Sequence, residues 1–303
     1  MSVAAPIPLT DRAPATDPAP WTHDHDSAAA RSPHAVLLHA HELAAVRDHV
    51  RLIDTREIHN DTRGVLPQSL HLPLSGIVFD DTSARAIEQL ATSVRRALQQ
   101  LGIAADEHLV FIDDSDGSAS LGYVLAQLAG CTASVLVGGF QSWLSAGFDL
   151  DTHHASGTPV DVWAAQPPVS GLGMVAPFEQ VRDTPSTGTA IIDTRSQLEH
   201  EGIIGGVGAP KGNIPNSLHM EWSTLFGLTG DIAPESRIRA MMDAIGVACD
   251  DDVILYCNAA HRAAAAAIIL RSAGFTRASV YLGGWHEWTR RDMPVFPRDD
   301  HDA

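Results

Sequence analysis

Cys257–Asn258–Ala259–Ala260–His261–Arg262 is the stretch of this chain best equipped for covalent chemistry. A thiol is followed, five positions on, by a guanidinium, with a histidine between them and no carboxylate inside. The thiolate is the nucleophilic form of cysteine, and cationic neighbours or a helix start favour it. The preceding run Val253–Ile254–Leu255–Tyr256 reads as a buried strand, and Ala263 to Leu270 as a helix. A cysteine between the two stands at the carboxyl end of a strand, where open α/β sheets place their ligands. Unpaired N–H groups at the following helix start also favour negative charge there. The competing reading is a small buried hydrophobe, the commonest fate of a lone cysteine. Cys131 and Cys249 fall in connections after helical stretches and are read as structural.

The elements that must hold this segment form a pattern. Arg51 to Asp54, His108 to Ile112 and Ser134 to Val137 read as strands; Ala84 to Leu101 and Leu121 to Leu128 carry helical spacing. Strands separated by helices of this length point to a parallel α/β sheet. The whole order then recurs about 140 residues later. Ile53–Asp54–Thr55–Arg56 returns as Ile192–Asp193–Thr194–Arg195, and Leu66–Pro67 as Ile214–Pro215. Leu109–Val110–Phe111–Ile112 returns as Val253–Ile254–Leu255–Tyr256. Val137–Gly138–Gly139 with Trp143 returns as Leu282–Gly283–Gly284 with Trp288. A period this long makes each copy a whole domain. The expected division is a disordered tail over 1–33, a first domain over 34–150, a linker over 151–168 and a second domain over 169–298.

The copies differ at the working position. Where the second has Cys257, the first has Asp113, in the acidic loop Asp113–Asp114–Ser115–Asp116–Gly117–Ser118. A carboxylate there cannot take the place of the thiol and would repel an anion, so the first copy is read as inactive and structural. The tail cluster His23–Asp24–His25–Asp26 and the linker residues His153 and His154 are read as solvated, not as metal ligands.

Composition narrows the partners. The 303 residues carry a formal charge of −17, which argues against a nucleic-acid polyanion, though not against a small anion in a local positive field. Three widely spaced cysteines give neither a disulfide framework nor a zinc pattern, and suit a reducing compartment. No secretory signal or bilayer-length apolar run is evident, so a cytoplasmic protein without a membrane partner is expected.

Together these residues resemble the rhodanese family, in particular its tandem-domain thiosulfate and 3-mercaptopyruvate sulfurtransferases. The resemblance covers the chain from about His34 to Pro297. It implies two tandem rhodanese-like α/β domains, each a parallel five-stranded sheet flanked by helices, with only the second catalytic. It further implies that Cys257 takes sulfane sulfur as a persulfide, cradled by the loop Asn258, Ala259, Ala260, His261 and Arg262. Arg195 and Arg262 would bind a small anionic donor, thiosulfate or 3-mercaptopyruvate; a thiol, cyanide or a protein would accept. No metal or organic cofactor is called for. Arg195 has a second reading, an ion pair with Asp193 or Glu199. Trp285 and Trp288 are expected in the core and at the domain interface. Ala260 stands where many members have glycine, so a positive φ there would strain it; Asn258 stands where thiosulfate-preferring members often have arginine. Two other readings remain: a non-catalytic sulfur-carrier or scaffold, and a cysteine phosphatase or arsenate reductase. The latter needs five residues between Cys and Arg, and only four lie between Cys257 and Arg262.

Overall fold

The computed structural model describes residues 35–57, 63–160, 173–205, 210–227 and 230–296. The expected tail, with His23 to Asp26, lies outside the described residues, as does most of the later half of the linker.

The first domain runs β1 (Leu37–Leu38), α1 (Ala40–Val46), β2 (Arg51–Asp54), β3 (Leu70–His71), α2 (Ala84–Gln100), β4 (Leu109–Ile112), α3 (Ser118–Ala129), β5 (Ala133–Leu136) and α4 (Gly139–Ser145). The second runs α5 (Phe178–Arg182), α6 (Thr184–Thr187), β6 (Ala190–Asp193), α7 (Gln197–His200), β7 (Leu218–His219), α8 (Glu235–Ala244), β8 (Val253–Tyr256), α9 (His261–Ser272), β9 (Ala278–Val280) and α10 (Gly284–Arg290). The sheet orders are β1-β5-β4-β2-β3 and β7-β6-β8-β9, and every pairing between named strands is parallel. The first sheet has the expected five strands. The second has four among the described residues. Val175 occupies the place of β1, held by one parallel bridge to Val280 and by the bond from Ala176 N to Val280 O (2.9 Å).

The central strands form because helices cover both of their faces. All four residues of β4 and all four of β8 are buried, so each reads as an unbroken apolar run. Helix α9 is buried from Ala263 through Leu270, since its alanines let it approach β8, β9 and α3 closely. The α3–α9 contact joins the domains through one apolar core that includes Phe111, Val124, Leu255 and Ile268. Smaller cores cover the outer faces, one around Leu43 and Trp143, the other around Tyr256 and Trp285.

Polar contacts fix the domains further. Buried Glu287 on α10 accepts from Thr82 N at 2.9 Å and from Thr82 Oγ1, and Phe178 N donates to Thr82 O at 3.0 Å. Asp80 pairs with His286 at 2.7 Å and Arg290 at 3.2 Å, and Asp81 with Arg291 at 2.7 Å. The segment after the first domain folds back onto it rather than crossing free. His154 departs from the solvated reading: its ring stacks on His71 at 4.6 Å, and Nε2 bonds Asp54 Oδ2 at 3.1 Å. Among the described residues no helix is long and apolar enough to cross a membrane.

Candidate active site

Cys257 follows the last residue of β8, and α9 starts at His261, as the strand–loop–helix reading expects. Helix α10 pins the loop: Trp285 N donates to Cys257 O at 2.8 Å and His286 N to Asn258 O at 3.2 Å. Planar trans peptides then turn the amides of Asn258 and Ala259 away from α10. Such close approach requires Gly284. At φ +53° a Cβ there would collide with the carbonyl oxygens of Cys257 and Asn258. Gly139 repeats the device against Asp113 in the first domain, which explains the second glycine of the duplicated Gly–Gly.

A cavity of about 340 Å³ opens at this loop, lined by Trp222, Cys257, Asn258, Ala259, His261 and Arg262, and closed by Ser75, Gly76 and Asp116 of the first domain. Cys257 is only 1% exposed to bulk solvent. It belongs to the shared apolar core and also lines that cavity. The other cysteines lie elsewhere. Cys131 is buried, which pushes its thiol up to about 12, and Cys249 accepts from Arg239 Nη1 at 3.2 Å.

Arg262 lines the cavity but its fork is taken. Nη1 and Nη2 donate to the two carboxylate oxygens of Glu199 at 2.8 and 3.0 Å. Burial opposes the charge of Arg262; Glu199 and the neighbouring Cys257 sulfur outweigh it and hold the guanidinium more firmly protonated than usual. Burial likewise opposes ionisation of Glu199, but Arg262 and the Ser196 donors win and bring its carboxyl down to about 2. Glu199 is held by a capping box on α7, with Ser196 N at 3.0 Å and Ser196 Oγ at 2.9 Å.

Arg195 is not among the residues lining the cavity. It is buried, and Nε and Nη2 fork onto Asp193 at 2.9 and 2.6 Å while Nη2 reaches Gly212 O at 2.8 Å. Its guanidinium lies over Trp285, 4.6 Å from the ring centre. The Asp193 reading of its partner is therefore the geometry found, and Glu199 serves Arg262 instead. Asp193 also takes His200 Nδ1 at 3.0 Å and Tyr256 OH at 2.9 Å. Desolvation works against the carboxylate, yet these donors bring Asp193 down to about 2. The first domain repeats the arrangement: Arg56 forks onto Asp54 at 2.9 and 2.6 Å and stacks on Phe140 at 3.8 Å. The duplicated Asp–x–Arg is thus a buried strut under the sheet end in both copies.

Ala260 has the expected positive φ, at φ 69° and ψ −39°. His261 N reaches back to Ala259 O at 2.9 Å, closing a γ-turn around Ala260 of the rare, strained sort. His261 holds the turn from both sides, with Nδ1 at 2.7 Å from Ala259 O and Nε2 at 3.0 Å from Leu74 O in the first domain. Gly117 lets the facing loop come near, since a Cβ there would lie 2.8 Å from His261 O.

The first-domain loop shows what such a turn does to an anion. Phe140 N donates to Asp113 O at 2.8 Å, as Trp285 N does to Cys257 O. The Asp113 carboxylate, buried, accepts from Ser115 N at 2.9 Å and from Gly117 N and Ala119 N at 3.1 Å. Burial and neighbouring Asp116 push its carboxyl up to about 6 despite those amides. In the second copy the matching positions are Ala259, His261 and Ala263.

Sequence reasoning brought together Cys257 to Arg262 and missed Trp222, Ser75, Gly76 and Asp116. The last three come from the other domain, and no local pattern marks them. Glu199 had a signal, the spacing Ser196–x–x–Glu199 ahead of a helix.

The rhodanese-like domain pattern matches residues 39–146 and again 178–291. The chain belongs to the rhodanese-like domain family. Among curated relatives it is 28% identical to a Pseudomonas aeruginosa protein described as a probable 3-mercaptopyruvate sulfurtransferase, over 63% of this chain and 68% of that one. It is 27% identical to the thiosulfate sulfurtransferase of Bos taurus, over 64% and 67%. A shorter match, 27% over 33% of this chain, is to a sulfur carrier protein of Thermus thermophilus that it covers by 38%. Among solved structures, wild-type EanB superposes with a TM-score of 0.74 over 86% of this chain and 68% of that one, at 19% identity; this likeness speaks for the fold.

Proposed function

We propose that the protein is a sulfurtransferase that moves sulfane sulfur from thiosulfate or 3-mercaptopyruvate to a thiophilic acceptor through a persulfide on Cys257. The observation that carries this is Cys257 lining a cavity at the end of β8, in the register where Asp113 sits among three backbone amides. The names of its relatives support sulfur transfer as the class of reaction.

The Cys257 thiolate attacks the outer sulfur of the donor. The new S–S bond forms as the donor's own bond to that sulfur breaks, releasing sulfite from thiosulfate or pyruvate, after protonation, from mercaptopyruvate. An acceptor nucleophile then takes the outer sulfur and returns the thiolate. Splitting the transfer through a covalent intermediate gives ping-pong kinetics. Asn258, Ala259, His261 and Arg262 line the cavity and form the cradle with buried Ala260 behind them, Arg262 being the only arginine in that lining among the described residues. Arg195 acts through position, holding Asp193 and Trp285 beneath the loop. The first domain, with Asp113 in place of the thiol, contributes walls to the cavity and no nucleophile.

A phosphatase reading is disfavoured because four residues, not five, separate Cys257 from Arg262, too short a loop for a tetrahedral oxyanion at its centre. An inert scaffold or sulfur-carrier module would show Cys257 alkylated by iodoacetamide no faster than a free cysteine peptide. The main test is intact mass after incubation with either donor. A sulfur adduct on the native protein and none on Cys257→Ser is expected; no adduct with either donor refutes the proposal.

A further inference from the structure

The cavity over Cys257 is walled by both domains, and the charge that the first domain brings to it is negative. Asp116 occupies that wall, although it belongs to the loop matching the active loop of the other copy. Both its donors are neutral: Ser118 N to Oδ1 at 2.9 Å and Ser75 Oγ to Oδ2 at 3.0 Å. Ser75 lines the same cavity, so the carboxylate is held in place there. On the second-domain side the charge of Arg262 is offset by Glu199 at 2.8 and 3.0 Å. Both ring nitrogens of His261 lie within hydrogen-bond distance of carbonyl oxygens, which only accept, so a neutral ring donates to one of the two. Trp222 lines the same cavity, its indole set at 75° to the Phe226 ring with centres 5.4 Å apart. A cavity lined by a carboxylate and an indole is a setting that attracts an organic cation, through charge and through the ring quadrupole.

We propose that Asp116 is a specificity-determining residue supplied by the non-catalytic domain, and that the sulfur acceptor it selects is a small cationic thiol, one bearing an ammonium group. This rests on the Cys257 persulfide reading and extends it to the second half-reaction. There the acceptor's thiolate sulfur attacks the outer sulfur of the Cys257 persulfide. The acceptor–sulfur bond forms, the bond to Cys257 Sγ breaks, and its electron pair returns to Sγ as thiolate. The acceptor's thiol proton goes to solvent, and the product is the acceptor persulfide. The acceptor's positive charge rests near Asp116 and Trp222 while its sulfur reaches the floor of the cavity. The chain's overall charge of −17 acts in the same sense at longer range.

The experiment loads the full chain with sulfur from thiosulfate or 3-mercaptopyruvate, removes excess donor, and follows loss of the adduct by intact mass. The acceptors are cysteamine (cationic), 2-mercaptoethanol (neutral) and mercaptoacetate (anionic). Their intrinsic reactivities differ, so the measured quantity is the cysteamine-to-mercaptoacetate rate ratio of the native protein divided by that of Asp116→Asn. That quotient is expected at about three to ten, from one partly screened charge acting on substrates of opposite sign. In the native protein the ratio should shrink as salt rises, which reads the same charge without any substitution. A quotient of one with a salt-independent native ratio overturns the role of Asp116 while leaving the persulfide intact. Absence of any adduct at the loading stage refutes the persulfide reading, and the acceptor inference falls with it.

Discussion

Replacing Glu199 with glutamine separates the two things its carboxylate does. It caps α7 through Ser196 and it cancels the charge of Arg262 beside Cys257. Glutamine keeps a carbonyl oxygen for the cap, so the local fold should survive. A charge-assisted bond is worth about 1.5–3 kcal/mol; the glutamine oxygen keeps one of the two to Arg262, and partial exposure of the pair trims the cost of losing the other. A loss of about 1–2 kcal/mol is therefore expected. The released guanidinium then faces the cavity uncompensated. Taking about 6 Å to a bound donor and the dielectric of water, each unit of negative charge gains roughly 0.7 kcal/mol. Dianionic thiosulfate should then gain about tenfold in kcat/KM and monoanionic 3-mercaptopyruvate about threefold. In a ping-pong scheme the donor's kcat/KM is independent of the acceptor, so sulfite and pyruvate release measure it directly. An equal change for both donors, or a fall for thiosulfate, would show that Arg262 does not act on the donor by charge, and the electrostatic account of the cavity would fail.

Four further outcomes are expected. Gly284→Ala places a Cβ against the carbonyls of Cys257 and Asn258 and should cost over ~2 kcal/mol, with sulfur loading lost; Gly139→Ala should cost a similar amount by thermal unfolding yet leave the Cys257 loop loading sulfur. Glu199 and Asp193 are ionised far below their unfolded values, near 4.5 and 3.8, so the stability they contribute is complete above about pH 4.5 and is lost as pH falls towards 2. Asp113 has the opposite sign: between pH 3.8 and about 6 the folded protein holds a proton that the unfolded chain has released, so stability falls as pH rises through that window. Denaturant titrations should show both limbs, and Asp113→Asn should remove the falling one. Ala260→Val, with a branched side chain at positive φ in a fully buried site, should cost at least ~2 kcal/mol and slow loading, measured by unfolding and by mass.

The strands were legible because their physics is local. Val253 to Tyr256 ends where the sequence places it, since a strand covered on both faces must be apolar throughout, and Arg51 to Asp54 keeps its bounds around the apolar centre Leu52–Ile53. Helix α9 was legible as a core but not in its bounds: it begins at His261, a polar residue that apolar periodicity cannot include. The second sheet's reduced edge was hidden, because one bridge at Val175 leaves no run of strand-like residues to read. In the site, the loop was legible because one segment supplies it. Arg195 was misleading in isolation: Asp193–x–Arg195 carries the same letters whether the guanidinium faces a ligand or folds back two residues. Burial decides, and burial depends on Trp285, far along the chain. His154 failed for the same reason, since nothing near it in sequence announces that Asp54, buried under Arg56, still needs another donor.

That missing donor is also what shows the two domains to be versions of one solution. Asp54 and Asp193 are each buried, each forked by the arginine two positions on, and each still short of hydrogen bonds. The first domain fills the gap with His154 from the segment after its last helix, stacked on His71 at 4.6 Å. The second fills it with His200 from α7, stacked on His219 at 4.7 Å, and adds Tyr256 from β8. His71 and His219 meanwhile bond the carbonyls of Arg56 and Arg195 at 2.8 and 2.9 Å. Two different chain segments thus deliver an imidazole to equivalent carboxylates, because an unsatisfied buried charge costs several kcal/mol whatever the route of the chain. The strut is kept in the copy that has Asp113 where the other has Cys257, so catalysis alone does not require it. The consequence is testable by comparison: His154→Ala and His200→Ala should each lower unfolding stability by about 1–3 kcal/mol, with sulfur loading at Cys257 slowed more by the second, whose strut underlies the active loop. Equal slowing by both would mean that the first domain's strut is felt at the thiol across the shared core.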